Sequence, residues 1–171
     1  MNDVLFACTY TDSVELLRES YSKVRFKRKV DLGYCLLFLA AFVSVLAVWQ
    51  NKSHWHLLSL VLLGAGVYSV LYPVITAYRV MDSIDRANQG NIPPATITLT
   101  DKITHQYKLD TSVLLYADLR LAYFLKRSIV LLSDEAYVTF DREGFTKGTP
   151  EELEKYLKER CPHVEIINKN G

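Results

Sequence analysis

The residues that could carry chemistry are few and scattered. Asp134-Glu135 and Asp141-x-Glu143 place two carboxylates close together, the arrangement that general acid–base catalysis uses. Both pairs fall in predicted turns, where water solvates them, whereas catalysis needs a buried group with a shifted pKa. His105 and His163 are isolated in sequence and are interpreted as surface residues. We therefore expect no catalytic residue and no enzymatic activity.

Metal, cofactor and nucleic-acid chemistry also lack their usual patterns. His54 and His56 supply two imidazoles, fewer ligands than a zinc site needs. Cys8, Cys35 and Cys161 lie far apart and have no C-x-x-C spacing. The chain has no G-x-S-x-G, no phosphate-binding glycine loop and no H-E-x-x-H motif. We expect no metal and no cofactor, and a net charge of +1 gives no reason to expect nucleic acid.

Two apolar segments, residues 32–49 and 57–78, dominate the sequence. A helix rises about 1.5 Å per residue and the hydrocarbon core of a bilayer is about 30 Å thick, so each segment is long enough to cross it. Neither segment contains Asp, Glu, Lys, Arg or His, which disfavours a transporter or proton channel. The sequence predicts a transmembrane hairpin over residues 32–78 that acts as an anchor.

The charges that flank this hairpin predict its orientation. Arg79 and Arg86 follow the second segment, whereas Lys52 is the one cation of the connecting loop. By the positive-inside rule, both termini are cytoplasmic and the protein is a multi-pass protein of the inner (plasma) membrane. Each cation near the surface contributes about 1 kcal/mol of attraction to anionic lipids, so membrane lipids are expected partners. Five cations precede the first segment: Lys23, Arg25, Lys27, Arg28 and Lys29.

Small residues predict how the two membrane helices meet. Small side chains on facing helices let the backbones approach closely where lipid removes the hydrophobic driving force. We expect this pairing within one chain, while a homo-oligomer built on the same surfaces stays an open alternative. The predicted packing residues are Ala40, Ser44 and Ala47 in the first helix and Ser59, Gly66 and Ser69 in the second.

Residues 1–31 form a predicted cytoplasmic segment of one strand and one basic amphipathic helix. Residues 5–10 are β-prone and are predicted to form an edge strand. Asp12 and Glu15 have the spacing of a capping box for the helix that follows. The helix has an apolar stripe, which packs either on the protein's own domain or on the membrane or a partner. The stripe consists of Val14, Leu17, Tyr21 and Val24.

Beyond the hairpin, residues 79–94 read as a helical extension that stops near Asn88, followed by a linker with Pro93-Pro94. Residues 95–171 read as a small cytoplasmic β domain. Thr149-Pro150-Glu151-Glu152 is a capping box with proline at the first helical position, and Pro162 ends that helix. The predicted antiparallel strands cover residues 96–100, 103–109, 112–116, 119–125, 128–132 and 136–140.

The basic segment, the hairpin, the β-rich domain and the closing helix together resemble the bacterial YcxB-like family. The most specific stretch is Tyr116-Ala117-Asp118-Leu119, which is similar to the family's aromatic-x-Asp-Ile strand start. Residues 140–145 resemble its Ile-Pro-Lys-Arg-x-Phe segment. The resemblance implies an α+β fold in which a transmembrane hairpin carries a pleckstrin-homology-like (PH-like) sheet. It implies a small antiparallel sheet or partly open barrel, closed by a C-terminal helix.

The expected function is recognition and not catalysis. A PH-like domain held at the cytoplasmic face would bind a protein, or a lipid, through its sheet or loops. The alternative is an immunity protein whose hairpin intercepts a membrane-active toxin. The candidate partner-binding residues are Tyr116, Phe124, Lys126, Arg127 and Phe145.

Overall fold

The computed structural model describes residues 4–50, 53–108, 110–134 and 136–169. They form an α+β protein with two long apolar helices followed by two sheets, which confirms the predicted class. The chain divides into two compact units. Residues 21–79 form the first, here called the hairpin unit, and residues 1–20 with 80–171 form the second, the β domain. Asn51, Lys52, Leu109 and Glu135, which several predictions involve, lie outside the described residues.

Two helices build the hairpin unit. Helix α2 spans Lys27–Gln50 and helix α3 spans Ser53–Ala87, 24 and 35 residues respectively. At about 1.5 Å per residue they are about 36 and 52 Å long, and both exceed the thickness of a bilayer core. Helix α3 continues through Pro73 and ends where predicted. Its last turn is closed by the Gly90 amide, which donates to the Asp85 carbonyl at 3.0 Å.

A shorter helix, α1, covers Val14–Ser20 and is followed by a π-helical turn, Tyr21–Arg25. The predicted cap at Asp12 is wrong. Ser13 is the cap, because its Oγ accepts a hydrogen bond from the Leu16 amide at 3.2 Å. Leu16 is buried in the core of the β domain, so α1 packs on the protein's own domain, one of the two predicted alternatives.

The β domain contains two sheets that do not close into a barrel. Their strand orders are β4-β3-β2-β1-β8 and β7-β6-β5-β9. All paired strands are antiparallel except β5 and β9, which are parallel. The six predicted strands correspond to β2–β7, whereas β8 and β9 were not predicted. The strands are β1 Phe6–Tyr10, β2 Ala95–Leu99, β3 Ile103–Tyr107, β4 Asp110–Leu114, β5 Leu119–Leu125, β6 Ser128–Ser133, β7 Tyr137–Asp141, β8 Phe145–Lys147 and β9 Glu165–Lys169.

Strand β1 lies inside the first sheet, between β2 and β8, so the predicted edge position is wrong. Its inward residues Phe6, Cys8 and Tyr10 are all buried, which explains why it needs partners on both sides. The approach of β8 depends on Gly144, because a Cβ there would lie 2.7 Å from the Thr9 carbonyl oxygen. The hairpin unit is therefore inserted between the first strand of the β domain and the remaining eight.

The closing helix, α4, spans Pro150–Arg160 and begins as predicted. The Thr149 hydroxyl accepts from the Glu152 amide, and the Glu152 carboxylate accepts from the Thr149 amide. Leu153 and Leu157 on its inner face are fully buried among the residues of both sheets. The helix thus completes the core of the β domain.

Candidate functional site

The inward face of the first sheet changes from apolar to polar along β3. Ile103 is fully buried in the core, and His105 and Tyr107 follow at intervals of two on the same face. On β4 the residues in register with them are Leu114, Ser112 and Asp110. His105, interpreted from the sequence as a surface residue, is half-buried. The inward face of the sheet thus carries apolar side chains in the core and a row of polar side chains toward one end.

A hydrogen-bond chain places a proton on Nε2 of His105. The Tyr10 hydroxyl lies 2.7 Å from the Thr139 carbonyl oxygen, to which it donates, and 3.2 Å from Nε2 of His105. Because that hydroxyl has one proton and gives it to the carbonyl, Nε2–H of His105 is the donor to Tyr10. Burial lowers the pKa of His105, and the nearby Asp12 opposes that fall. In the neutral ring the other nitrogen, Nδ1, is a hydrogen-bond acceptor.

Asp12 joins this row from the turn between β1 and α1. Since Ser13 caps α1, the Asp12 carboxylate has no capping role. Burial raises the pKa of Asp12, and the nearby His105 opposes that rise. Among the described residues, no Lys or Arg forms an ion pair with Asp12. The carboxylate is therefore partly desolvated, and His105 is the nearby titratable group that favours its charged form.

These groups line a cavity of about 410 Å³, here called the polar cavity. Ile84 of α3 contributes an apolar wall, and Asn88 supports it by donating from Nδ2 to the Tyr107 hydroxyl at 3.1 Å. All of its walls come from the β domain. The lining residues are Asp12, Ile84, His105, Tyr107, Asp110, Thr111 and Ser112. The sequence did not predict this site, because its lining residues come from four separate parts of the chain: the turn before α1, α3, β3 and β4.

A second and larger concavity, here called the groove, has a volume of about 710 Å³. It runs from β4 past the 3₁₀ helix Tyr116–Asp118 to β6 and β9. Val113, half exposed, lies on its apolar side. On its charged side, Arg120 forms an ion pair with Asp134. The groove thus combines apolar and charged surface.

The predicted partner-binding residues are dispersed in the structure. Phe124 has 1% of its surface exposed and lies in the core, so its side chain offers no contact surface to a partner. Tyr116 and Phe145 are half-buried, and the Tyr116 ring packs on Tyr156 with 5.8 Å between ring centroids. Lys126, like Arg127 beside it, is exposed in the turn between β5 and β6.

Glu19 binds the turn between β5 and β6, a contact that the sequence did not reveal and that is here called the Glu19 clamp. Oε2 of Glu19 accepts three hydrogen bonds of 2.9 Å, from the Arg127 amide, the Ser128 amide and the Ser128 hydroxyl. A carboxylate that accepts from backbone amides makes charge-assisted bonds, which are stronger than neutral ones. Helix α1 is thereby fixed to the second sheet.

In the hairpin unit, the basic cluster is interleaved with aromatic rings. Nζ of Lys29 lies 3.8 Å from the ring centroid of Tyr72, and the Arg25 guanidinium lies 5.5 Å from that of Tyr21. Lys27 pairs with Asp31 one turn later. Cation–π contacts of this kind contribute about 0.5–1 kcal/mol at exposed sites. The described contacts therefore orient these side chains, of which Arg25, Lys27, Arg28 and Lys29 are exposed and Lys23 is half-buried.

The predicted packing residues lie along the contact between α2 and α3. The Ser59 hydroxyl donates to the Ala40 carbonyl at 3.1 Å and bonds the Ser44 hydroxyl. A Cβ on Gly66 would lie 2.8 Å from the Leu37 side chain, and a Cβ on Gly33 would lie 3.0 Å from the Cβ of Ser69. Ala47 is fully buried. Gly33 also belongs to this contact and was not predicted, since a Cβ there would lie 2.8 Å from Val70.

No three His, Cys, Asp or Glu side chains of the described residues come together as a metal-binding group. Comparison with known proteins returned no match of any kind: no protein-family model, no curated protein and no solved structure matches the chain.

Proposed function

We propose that this protein is a non-enzymatic bacterial inner-membrane protein whose transmembrane hairpin holds a PH-like recognition domain at the cytoplasmic face. The observation that carries the proposal is the uncovered apolar surface of α2 and α3. Only 22% of the most apolar 18-residue stretch of α2 is buried, and only 11% of that of α3. Phe38 and Trp49 are more than 80% exposed. Core helices of soluble proteins are covered, and contiguous apolar surface of this kind marks contact with membrane or protein.

The insertion of the hairpin unit into the β domain supports an even number of spans. Residues on both sides of the hairpin belong to one folded domain, so both of its ends must reach the same aqueous compartment. The excess of Lys and Arg in its flanks favours the cytoplasm. Two sheets covered by α4 agree with the PH-like architecture that the resemblance to the YcxB-like family implies.

Labelling with a membrane-impermeant maleimide tests the orientation. Cys8 and Cys161 are buried, and Cys35 lies within the first apolar segment, so the native protein should stay unlabelled in intact cells. Ser53→Cys, at the first residue of α3, should be labelled from outside, whereas Gln89→Cys should react only after lysis. Labelling of Gln89→Cys in intact cells would contradict the proposed orientation.

The groove is the surface that we assign to protein recognition. Interfaces combine an apolar centre with a polar rim, and the half-exposed Val113 beside Arg120 and Asp134 supplies both. Its edge strand β4 also leaves backbone groups open to pairing with an extended segment. The turn with Lys126 and Arg127 is the second candidate surface.

In-cell crosslinking followed by affinity purification tests recognition. The full-length protein should capture a cytosolic protein that a chain ending at Asn91 does not capture. Ala117→Arg, in the groove, should abolish capture, and a Lys126→Glu/Arg127→Glu double variant tests the second surface. Capture that survives all of these changes would contradict a recognition role of the β domain.

The immunity alternative assigns the function to the hairpin. The hydrogen bond between the Ser44 and Ser59 hydroxyls joins α2 to α3. The hairpin is therefore a defined structural unit, which favours the immunity alternative. Replacing residues 32–78 by an unrelated two-helix anchor distinguishes the two. A recognition domain keeps its partner after this exchange, whereas a toxin-intercepting hairpin loses its protective effect.

A further inference from the structure

The polar cavity presents hydrogen-bond acceptors and no cation. Its lining residues include Asp12 and Asp110, which carry carboxylates, and Ser112, which carries a hydroxyl and is in register with His105. The His105 ring also lines the cavity, and when that ring is neutral its Nδ1 is an acceptor, because Nε2–H is the donor to Tyr10. None of the seven described lining residues is Lys or Arg. Such a lining favours a ligand that is rich in donors.

A purely structural role does not account for Asp12. Helix α1 is capped by Ser13, and no described Lys or Arg pairs with the Asp12 carboxylate. Burial raises the pKa of Asp12 although the nearby His105 opposes that rise. The charged carboxylate is therefore disfavoured at this place, and a cation in the cavity would offset that cost. The position of the carboxylate is thus explained by a ligand better than by the fold.

The other walls limit the shape of the ligand. Ile84 and the ring of Tyr107 are apolar surfaces that an alkyl chain can contact, and an aromatic face also attracts a cation. A volume of about 410 Å³ falls at the lower end of the range for small-molecule sites. The cavity therefore fits a short alkyl chain that ends in a charged donor.

We propose that the polar cavity binds the ammonium or guanidinium group of a small organic cation, with Asp12 as the principal counter-charge. Asp110 and His105 accept its remaining hydrogen bonds, and Ile84 and Tyr107 contact its alkyl part. The same chemistry is offered by a free amine and by a lysine side chain, so both are tested.

Methyl NMR of the full-length protein in detergent micelles measures this binding directly. The δ1-methyl group of Ile84 reports on the cavity, while Ile97 and Ile103, both fully buried in the core, serve as internal references. The probes are n-butylammonium and the peptide acetyl-Gly-Lys-Gly-amide, with 1-butanol as the neutral analogue. We expect a saturable shift at Ile84 with at least one of the two cations and none with 1-butanol in the same range.

Matched variants assign the effect to the carboxylate. Asp12→Asn should weaken binding at least about tenfold, whereas Glu159→Gln, at an exposed acid of the same domain, should leave the Kd unchanged. If Asp12→Asn fails to fold, Asp110→Asn and His105→Gln provide the same comparison. Equal shifts with n-butylammonium and 1-butanol, or no saturable shift with either cation, would overturn the proposal. The NMR experiment uses purified protein and needs no cellular partner. Its result therefore tests the polar cavity independently of whether the crosslinking experiment captures a protein.

Discussion

At the scale of single residues, the β domain depends on polar contacts that join distant parts of the chain. Glu19 is the clearest example, because one carboxylate oxygen accepts three hydrogen bonds from the turn between β5 and β6. Neither periodicity nor a motif predicts such a contact, because the partners of Glu19 lie 108 and 109 residues further along the chain. The sequence could reveal Glu19 as an exposed helical acid and no more.

Glu19→Ala should destabilise the β domain by about 1–3 kcal/mol, because two backbone amides and a hydroxyl lose their acceptor. Thermal unfolding followed by far-UV circular dichroism measures the effect. Glu15→Ala is the matched control, as an exposed acid of the same helix, and should change stability by less than about 0.5 kcal/mol. Equal losses in both variants would show that the helix, and not the clamp, is affected.

Alkaline pH should destabilise the β domain. Burial raises the pKa of Cys8 from 9.0 to about 12, and burial raises the pKa of Tyr10 and of Tyr116 as well. Each group stays protonated in the folded domain at a pH where the unfolded chain has already ionised. Stability is therefore complete below about pH 9 and falls above it, by up to about 1.4 kcal/mol per pH unit for each group.

Denaturant titrations between pH 7 and pH 11 test this dependence, and Cys8→Ala isolates one contribution. The variant should be less stable than the native protein at pH 7, where a packed thiol is lost. The difference between the two should narrow above pH 9, because alanine has no proton to lose. A constant difference across the range would show that Cys8 does not contribute.

At the scale of elements, small residues decide how closely α2 and α3 approach. Gly66 and Gly64 lie on the same helix, yet a Cβ on Gly64 would meet nothing within 4 Å. The small-residue pattern identified Gly66, Ser44 and Ser59, but it missed Gly33. That contact depends on the register between the helices, which helical spacing alone does not specify.

Gly66→Leu should disrupt the contact, because its side chain would overlap Leu37 and the α2 backbone. Overpacking typically costs about 1–3 kcal/mol. Both tryptophans, Trp49 and Trp55, lie in the hairpin unit, so their fluorescence during SDS titration reports on this unit alone. Gly64→Leu should keep the native midpoint, and a lowered midpoint for both variants would contradict the assigned contact.

Strand and helix prediction succeeded where local pattern decides the structure. The capping box at Thr149 places the start of α4, and β-prone runs bounded by polar breaks place β2–β7. Strand β1 was found as a strand but assigned to an edge, because only its long-range partners make it central. Strands β8 and β9 were missed, since β8 has three residues and β9 is paired in parallel with the distant β5.

At the scale of the whole molecule, the β domain is discontinuous. A chain in which a flexible linker replaces residues 21–79 keeps all nine strands, and we expect it to be soluble and to unfold cooperatively. Residues 95–171 alone lack β1 and leave β2 and β8 without their common partner. That shorter chain should remain unfolded by circular dichroism. Cooperative folding of residues 95–171 would show that β1 is dispensable.

The central place of β1 also has a consequence for synthesis on the ribosome. Strand β1 ends at Tyr10, whereas β2 begins at Ala95. At about 5–20 residues per second, the nascent strand waits roughly 4–17 s for its first neighbour, while the hairpin is translated and, in the proposed topology, enters the bilayer. A chain that stalls during that interval carries an unpaired apolar strand, which quality-control proteases and chaperones can recognise. Completion of the sheet thus marks the chains whose translation has passed the hairpin and reached the last strands.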